Sequence, residues 1–165
     1  MKTLFALLLF STSAISQTPA LIKSASTDDF IALFSQPDKQ SATRSYNKNL
    51  RVLPKVDLVI QFDLDSSQLK EEDMSLLNNL AKAMKNDRLT SMKFKVEGHT
   101  DTQGSFQYNL RLSQSRAESV IQYLTSNGIE NDRLIGEGKG FTDLRLPNNP
   151  KSAENRRVTF TVISR

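Results

Sequence analysis

The sequence predicts an α/β fold, a βαβα-β-β two-layer sandwich in which a mixed four-stranded sheet packs against two main helices. Several short segments alternate apolar and polar residues, which is the period of a strand. Two longer segments repeat apolar residues at helical spacing. Because the two kinds of segment alternate along the chain, the helices are expected to cover a sheet whose parallel connections are right-handed.

The first strand and helix are predicted between residue 56 and Asn86. Apolar residues alternate over 56–62, which indicates the strand. Ser66 and Ser67 precede the acidic residues 71–73, a pattern typical of a capped helix start. The apolar stripe of this helix comprises Leu69, Leu76, Leu77, Leu80, Ala81 and Met84.

The second strand is predicted over residues 92–97 and stops at Gly98, after which a polar loop runs to Tyr108. A second amphipathic helix follows and ends at Asn127-Gly128, where a glycine suits the position after a helix. Its apolar stripe comprises Leu110, Ala117, Val120, Ile121 and Leu124. Two further strands are predicted over 133–137 and 157–162, joined by a longer loop.

Residues 1–16 have the layout of a secretory signal peptide, with Lys2 before an apolar run and small or polar residues at the end. The apolar run is short of the roughly 20 residues that cross a bilayer. We therefore expect export and cleavage near Ser16-Gln17, leaving no membrane-spanning segment. An uncleaved anchor or a buried helix is the alternative.

Residues 17–55 are predicted to form a polar tether with a short apolar island, Phe30-Ile31-Ala32-Leu33-Phe34. The island, preceded by Asp28 and Asp29, suits one helical turn. It either docks on a partner through Phe30 and Phe34 or folds back on its own domain. The folded domain is then residues 56–165.

Composition removes several classes of function. The sequence has no cysteine and one histidine, His99, so thiol chemistry, disulfides, lipid-bearing cysteines and the usual metal-ligand clusters are unsupported, and no cofactor is implied. Loss of residues 1–16 lowers the net charge from +4 to +3. The sequence pI of about 9.4 prompts a further hypothesis, binding to nucleic acid or anionic lipid. Interspersed charges and the lack of a basic stripe argue against both.

The densest polar segment is Glu97 to Gly104, which ends a strand and leads into a helix, a usual place for a site in layered α/β folds. Asp101 lies in this loop, and Arg116 lies about two turns into the helix. A carboxylate and a guanidinium facing one crevice suit a zwitterionic ligand. Asn109, one heptad before Arg116, falls on nearly the same helix face, and Arg156 precedes the last strand.

Two other interpretations of these residues stay open. In the first, Asp101 caps a turn while Arg116 is solvated or pairs with Glu118 or Asp101, as ordinary surface charges do. In the second, the chain is a hydrolase with His99 as base, Asp101 orienting it, and Ser105 or Ser113 as nucleophile. The short His99–Asp101 spacing and the absence of a Gly-x-Ser-x-Gly motif disfavour it.

Together, the motifs from about Val59 to Ile163 resemble the OmpA C-terminal-like domain family, shared by outer-membrane proteins, Pal and MotB. Ile60-Gln61-Phe62-Asp63 resembles the opening of the family pattern. The remaining matching residues are Gly98-His99-Thr100-Asp101, Gly104, Tyr108-Asn109, Leu112-Ser113, Arg116-Ala117, Val120, Leu124, Gly128-Ile129 and Asn155-Arg156-Arg157-Val158. This composite spacing is highly specific, whereas each piece alone is weak.

The resemblance implies noncovalent binding of peptidoglycan through the diaminopimelate of its stem peptides, with no enzymatic activity. By position, Asp101 would take the ligand ammonium and Arg116 its carboxylate. Asn109 and Arg156 fall on supporting ligand contacts, and Thr100 and Asp63 on the pocket rim.

The family also implies a Gram-negative periplasmic location, an envelope protein partner held through residues 17–55 or a domain surface, and a possible homodimer. We expect this protein to lack three membrane connections found in the family: a preceding barrel, a lipid-bearing cysteine and a spanning helix with a buried acid. A scaffold that has lost ligand binding is a further alternative. Pro147 in the 140–155 loop is displaced from the family spacing. The sequence therefore leaves open whether that loop completes the pocket.

Overall fold

The computed structural model describes residues 21–36, 39–40, 51–52, 54–60, 62–63 and 65–164. The three helices are α1 (Thr27–Phe34), α2 (Glu71–Met84) and α3 (Phe106–Ser126). The strands are β1 (Leu21–Ile22), β2 (Lys39–Gln40), β3 (Arg51–Val52), β4 (Lys55–Leu58), β5 (Lys93–Gly98), β6 (Leu134–Gly138) and β7 (Val158–Ser164). Short 3-10 turns span Asn131–Arg133 and Ala153–Asn155. The predicted signal peptide and its cleavage site lie outside the described residues.

The main sheet is mixed and has the strand order β1-β4-β7-β5-β6. Strand β7 lies at its centre and is antiparallel to both β4 and β5, while β5 and β6 are parallel. The predicted α/β class and its order of elements are confirmed. The predicted count of four strands is wrong by one, because β1 adds a short parallel partner to β4 at the edge.

One continuous apolar core joins the sheet to the helices. Alternate residues of the central strand, Val158, Phe160 and Val162, are fully buried, because successive side chains of a strand point to opposite faces. Leu77, Leu80 and Met84 of α2 pack into the same core, together with Ala117, Val120 and Leu124 of α3. The second face of the sheet carries charged pairs such as Lys95 with Glu97 and Glu137, which completes a two-layer arrangement.

The N-terminal apolar island belongs to this core. Phe30 and Phe34 are fully buried, and the Phe34 ring meets Phe94 of β5 edge-on at 5.1 Å between centroids. Ser26 and Asp29 form a reciprocal capping box at the start of α1.

Of the two outcomes expected for the island, the structure shows that it folds back on its own domain, because burial of two aromatic rings offsets the ordering of this segment. Residues 17–20, 37–38, 41–50 and 53 lie outside the described residues. Strands β2 and β3 form a separate antiparallel pair.

The segment between β4 and α2 departs from the predicted boundaries. Strand β4 ends at Leu58 instead of continuing to Phe62, and α2 begins at Glu71 behind an N-cap Lys70 that makes no side-chain cap. The predicted Ser66 cap is wrong, since its hydroxyl accepts from the backbone N–H of Gln68 at 3.0 Å. The segment between β4 and α2 contacts α3, because Arg116 donates to the backbone oxygens of Asp63 and Ser66.

Two glycines let α3 lie directly on the sheet. A methyl group at Gly98 would come 2.1 Å from the backbone oxygen of Ser113, and one at Gly138 would come 2.5 Å from the backbone nitrogen of Gln114. The Gly138 N–H also donates to the Gln114 side chain at 2.6 Å. This close approach fixes the position of α3, and with it the side chains that α3 presents beyond the end of β5.

Candidate ligand-binding site

A cavity of about 330 Å³ opens where β5 ends, between the turn after β4, the loop after β5 and the first half of α3. The six residues singled out from the sequence all line it: Asp63, Thr100, Asp101, Asn109, Arg116 and Arg156. The structure thus brings together residues separated by up to 93 positions in the chain. Phe62, Asp65, Gln103, Tyr108 and Leu112 complete the lining.

Asp101 is a buried carboxylate that is held in place from two sides. Its Oδ1 accepts from the backbone N–H of Gln103 at 2.9 Å, and its Oδ2 accepts from the Gln103 side chain at 3.2 Å. Arg156 Nη1 lies 2.8 Å from the same Oδ2. The Arg156 side chain is 43% exposed whereas that of Asp101 is 7% exposed, so the cation of this pair is the member that can move.

Arg116 is a buried guanidinium supported by neutral groups. It is 6% exposed, and its Nε and Nη2 donate to the backbone oxygens of Ser66 and Asp63 at 3.1 and 3.4 Å. The guanidinium carbon lies 4.8 Å from the centre of the Phe62 ring, within the range of a cation–π contact. These contacts fix the plane of the guanidinium without neutralising its charge.

No carboxylate of the described residues lies within ion-pair distance of Arg116. Glu118, one of its two expected partners, accepts instead from Gln114 at 2.8 Å. Burial lowers the pKa of Arg116, and the nearby charge of Arg156 lowers it further. A buried cation beside a second cation is a costly arrangement that an anionic ligand would relieve.

Asn109 and Thr100 shape the loop that carries Asp101. The Asn109 amide donates to the backbone oxygens of Gln103 and Ser105 at 2.7 and 3.2 Å, which ties the loop to the start of α3. Thr100 is 2% exposed, and its N–H donates to the Gly140 oxygen at 2.8 Å. The buried Thr100 hydroxyl has no hydrogen-bond partner within the described part of the chain, which is uncommon for a buried polar atom.

The rim of the cavity contains contacts that the sequence did not reveal. The Tyr108 hydroxyl donates to Asp65, a non-glycine residue with a φ of 53°. This bond raises the pKa of Tyr108. Asp63 is exposed and pairs with Lys70 at 2.8 Å, so it contributes its backbone oxygen to Arg116 and its carboxylate to the rim. None of these pairs has a local sequence signal, because each joins residues from separate segments.

His99 lies outside the cavity, in a buried polar network beneath the loop. Its Nε2 is 3.1 Å from the Thr159 hydroxyl, which also donates to Asp57. Asp57 is fully buried and pairs with Arg145 at 2.9 Å and with Arg157 at 3.1 Å. Burial, followed by the charge of Arg157, lowers the pKa of His99 to about 3.

The serines of the hydrolase hypothesis have structural contacts. The Ser105 hydroxyl caps α3 by accepting from the Tyr108 N–H at 3.2 Å. The Ser113 hydroxyl donates to Leu110 and accepts from the Gly140 N–H at 2.8 Å. His99 is bonded to Thr159, and Asp101 is bonded to Gln103 and Arg156. The described hydrogen bonds therefore do not link a serine, His99 and Asp101 as a catalytic triad requires.

The 140–155 loop contacts the loop that carries Asp101, but none of its residues is among those lining the cavity. The Pro150 oxygen accepts from the Thr102 N–H at 3.2 Å. Inside the loop, buried Asn155 accepts from the Leu146 N–H and donates to the Asn149 oxygen, both at 2.9 Å. The loop therefore braces the Asp101 loop from behind, while Arg156, just after it, supplies the cavity side chain.

The site can hold a small charged ligand by ionic and hydrogen bonds. In the part of the chain that the structure describes, no group of three acidic or histidine side chains is placed to share a metal ion. No helix within those residues combines the length and apolar character needed to cross a bilayer. The arrangement is the buried carboxylate of Asp101 and two guanidinium groups around one cavity, with the exposed Asp63 and Asp65 at its rim. It is suited to recognition of a group bearing both charges.

The fold and the site define a small two-layer α/β binding domain with a charged cavity at the end of a central strand. The model of the OmpA family matches residues 61–157, a range that contains all six residues singled out from the sequence. The chain belongs to the OmpA family.

Named relatives and solved structures agree with that assignment. Outer membrane protein A of Bordetella avium is 38% identical over 62% of this chain and 53% of its own length. The peptidoglycan-associated lipoprotein from Burkholderia pseudomallei superposes with a TM-score of 0.53 and 27% identity, over 62% of this chain and 87% of that one. The cell wall anchor of the T6SS from Pseudomonas aeruginosa superposes with a TM-score of 0.51 and 29% identity, over 63% of this chain and 75% of that one. The chain spans about half or less of the first curated relatives it matches.

Proposed function

We propose that the chain binds peptidoglycan noncovalently through the diaminopimelate of its stem peptides and anchors an envelope assembly to the cell wall. The observation that carries this proposal is the buried guanidinium of Arg116, which lacks a carboxylate partner among the described residues and faces the same cavity as Asp101. The free end of diaminopimelate presents an ammonium and a carboxylate on one carbon. This zwitterion matches the two buried charges of the cavity, Asp101 and Arg116.

Each charge of the ligand has a proposed receptor. Arg116 takes the ligand carboxylate, which supplies the missing counter-charge and replaces water at a buried cation. Asp101 takes the ligand ammonium, and the more exposed Arg156 shifts from Asp101 toward the ligand carboxylate. The Thr100 hydroxyl, for which the described residues offer no hydrogen-bond partner, is a further candidate contact, and Asn109 keeps the loop in place.

The similarities support this assignment from a second direction. One solved structure of the same fold is described as a peptidoglycan-associated lipoprotein and another as a cell wall anchor. Because charge-assisted bonds each contribute only ~1.5–3 kcal/mol, one site gives weak binding. A wall polymer that repeats the stem peptide converts such binding into stable attachment when several copies or a partner are linked.

The proposed location follows from the same chemistry. The site needs access to peptidoglycan, so we place the chain in the periplasm, on its own or beside the outer membrane. A partner protein held through the N-terminal residues or a domain surface would connect the wall to the rest of the assembly. We propose a binding protein and not an enzyme, since the cavity holds charges for recognition.

Co-sedimentation of the purified chain with diaminopimelate-type sacculi tests the proposal. Wild-type protein should pellet with the wall, and free meso-diaminopimelate should compete. Asp101→Ala should remain in the supernatant with an unchanged far-UV spectrum, while the exposed helix variant Arg111→Lys should pellet as wild type does.

Two results would redirect the assignment. A folded wild-type chain that does not pellet would indicate a scaffold whose site has lost ligand binding. Release of soluble muropeptides from the sacculi would indicate a hydrolase.

A further inference from the structure

A second, smaller cavity of about 180 Å³ lies on the other side of Arg116 and Phe62. Arg116, Arg156 and Phe62 line both cavities, so the two spaces share a wall built from two guanidinium groups and a ring. Lys23 and Glu154 add the remaining charges of the second cavity, and Val59 and Ile60 give it an aliphatic side.

The second cavity has an excess of positive charge. Three cations line it against one carboxylate, Glu154, whose Oε2 lies 3.6 Å from Arg145 Nε outside the lining. Lys23 has no ion-pair partner among the described residues. Arg156 meets Asp101 on the side of the first cavity. An anionic group is therefore the ligand that this lining favours.

The position of Lys23 is fixed by the fold. It directly follows β1, whose Ile22 is paired in register with Leu58 of β4. The Ile22 oxygen also accepts from the Val59 N–H at 2.9 Å, next to the aliphatic side of the cavity. The buried rings of α1 hold this segment from its other end. The N-terminal segment thus carries a lysine to the edge of the ligand site.

We propose that the second cavity binds a second carboxylate of the ligand held in the first cavity, with Lys23 as its specific cation. This inference rests on the proposed function and names the ligand more closely, as a diaminopimelate-containing peptide instead of the isolated amino acid. A stem peptide carries two further carboxylates, the α-carboxylate of its γ-linked glutamate and the carboxyl terminus of an alanine. The lysine takes whichever of these two reaches past Arg116, and the aliphatic side takes the adjoining hydrocarbon.

Calorimetric titration with defined ligands tests the inference. The probes are free meso-diaminopimelate, the tetrapeptide L-Ala-γ-D-Glu-meso-diaminopimelate-D-Ala, and two forms of that peptide, one amidated at the glutamate α-carboxyl and one at the carboxyl terminus. Wild-type protein should bind the unmodified peptide about three- to tenfold more tightly than one of the two amidated peptides, as expected for one partly exposed ion pair. That amidated peptide identifies the carboxylate.

Lys23→Gln is the matched variant, and Lys82→Gln is its control, since Lys82 is exposed on α2 and lines neither cavity. Lys23→Gln should lose the advantage of the unmodified peptide while binding free meso-diaminopimelate as wild type does, and Lys82→Gln should change neither affinity.

Equal binding of all peptides, or no effect of Lys23→Gln on the peptide, would overturn the second subsite while the diaminopimelate site stands. If wild type binds neither the amino acid nor the peptide, the proposed function fails together with it.

Discussion

At the scale of single residues, Arg116 carries the argument for a ligand. Its guanidinium is buried, is oriented by two backbone oxygens and a ring, and lacks a carboxylate partner among the described side chains. Such a group is costly to the folded state, because removing a charge from water requires compensation. Unlike the equally buried Arg133, Arg116 lines a cavity, where a ligand carboxylate would supply that compensation. The planar fork of arginine also matches a carboxylate in a way that the point charge of lysine cannot.

We therefore predict that Arg116→Lys lowers the affinity for diaminopimelate-type sacculi by at least about tenfold, the effect of losing one bidentate charge-assisted pair. The thermal midpoint should fall slightly, since lysine keeps the buried charge and loses the paired bonds to the backbone oxygens of Ser66 and Asp63. Quantitative co-sedimentation against protein concentration measures the affinity. Wild-type affinity in this variant would show that Arg116 does not touch the ligand.

His99 makes a separate contribution through its protonation state. Its pKa lies near 3 in the folded protein against the usual 6.5, because burial and Arg157 disfavour the charged ring. As the pH falls below 6.5, the unfolded chain takes up the proton and the folded chain does not. This stability is thus complete above pH 6.5 and declines by up to ~1.4 kcal/mol per pH unit toward pH 3.

Denaturant unfolding between pH 7.5 and 4 checks this prediction. His99→Gln, which keeps a polar side chain and does not titrate, should show a shallower loss of unfolding free energy with acid than wild type. Parallel curves for the two proteins would mean that His99 becomes protonated without unfolding.

At the scale of elements, α1 and the packing of α3 decide whether the site forms. Sequence patterns predicted a helical turn for the island at residues 30–34. They left open what the island packs against, because five apolar residues suit the surface of a partner as well as the core of the same domain. The structure places its rings against α2 and β5. Likewise, nothing local to Gly98 shows that a helix backbone crosses it, since that contact joins it to Ser113.

We predict that Phe34→Ala lowers the free energy of unfolding by ~3–5 kcal/mol, the usual cost of removing a buried phenylalanine side chain. Ala32→Ser, on the exposed side of the same helix, should change it by less than ~0.5 kcal/mol. Urea unfolding monitored by circular dichroism measures both. A near-neutral Phe34→Ala would mean that α1 is not part of the stable fold.

The two glycines Gly98 and Gly136 provide a matched test of helix–sheet contact. An alanine methyl at Gly98 would collide with the backbone of Ser113, which cannot yield without moving α3. At Gly136 the methyl would come 2.9 Å from the end of the Ile121 side chain, which can rotate away. Gly98→Ala should therefore lower both the thermal midpoint and wall binding, and Gly136→Ala should do so far less. Equal effects would contradict the close approach of α3.

At the scale of the whole molecule, local patterns predicted the elements and their order, and the structure confirms the α/β class. They missed what depends on distant partners: the fifth strand and the ring of Phe62 under Arg116. Arg133 is another example, because its three bonds to the oxygens of Met84, Leu89 and Met92 close the end of α2. Such contacts leave no mark on neighbouring sequence.

The six site residues were singled out by spacing and by family resemblance, and the structure places all of them around one cavity. Spacing alone left Asp101 and Arg116 as ordinary surface charges, an interpretation that their burial does not support. The ligand assigned to that cavity remains the central claim.

Calorimetric titration of the purified chain with free meso-diaminopimelate tests this claim most directly, with cadaverine, which has ammonium groups but no carboxylate, and Arg111→Lys as controls. The account predicts saturable binding of meso-diaminopimelate by wild type and Arg111→Lys, with none by Asp101→Ala and none of cadaverine at the same concentrations. A folded wild-type chain that shows no heat of binding, or that binds cadaverine equally well, would contradict the account.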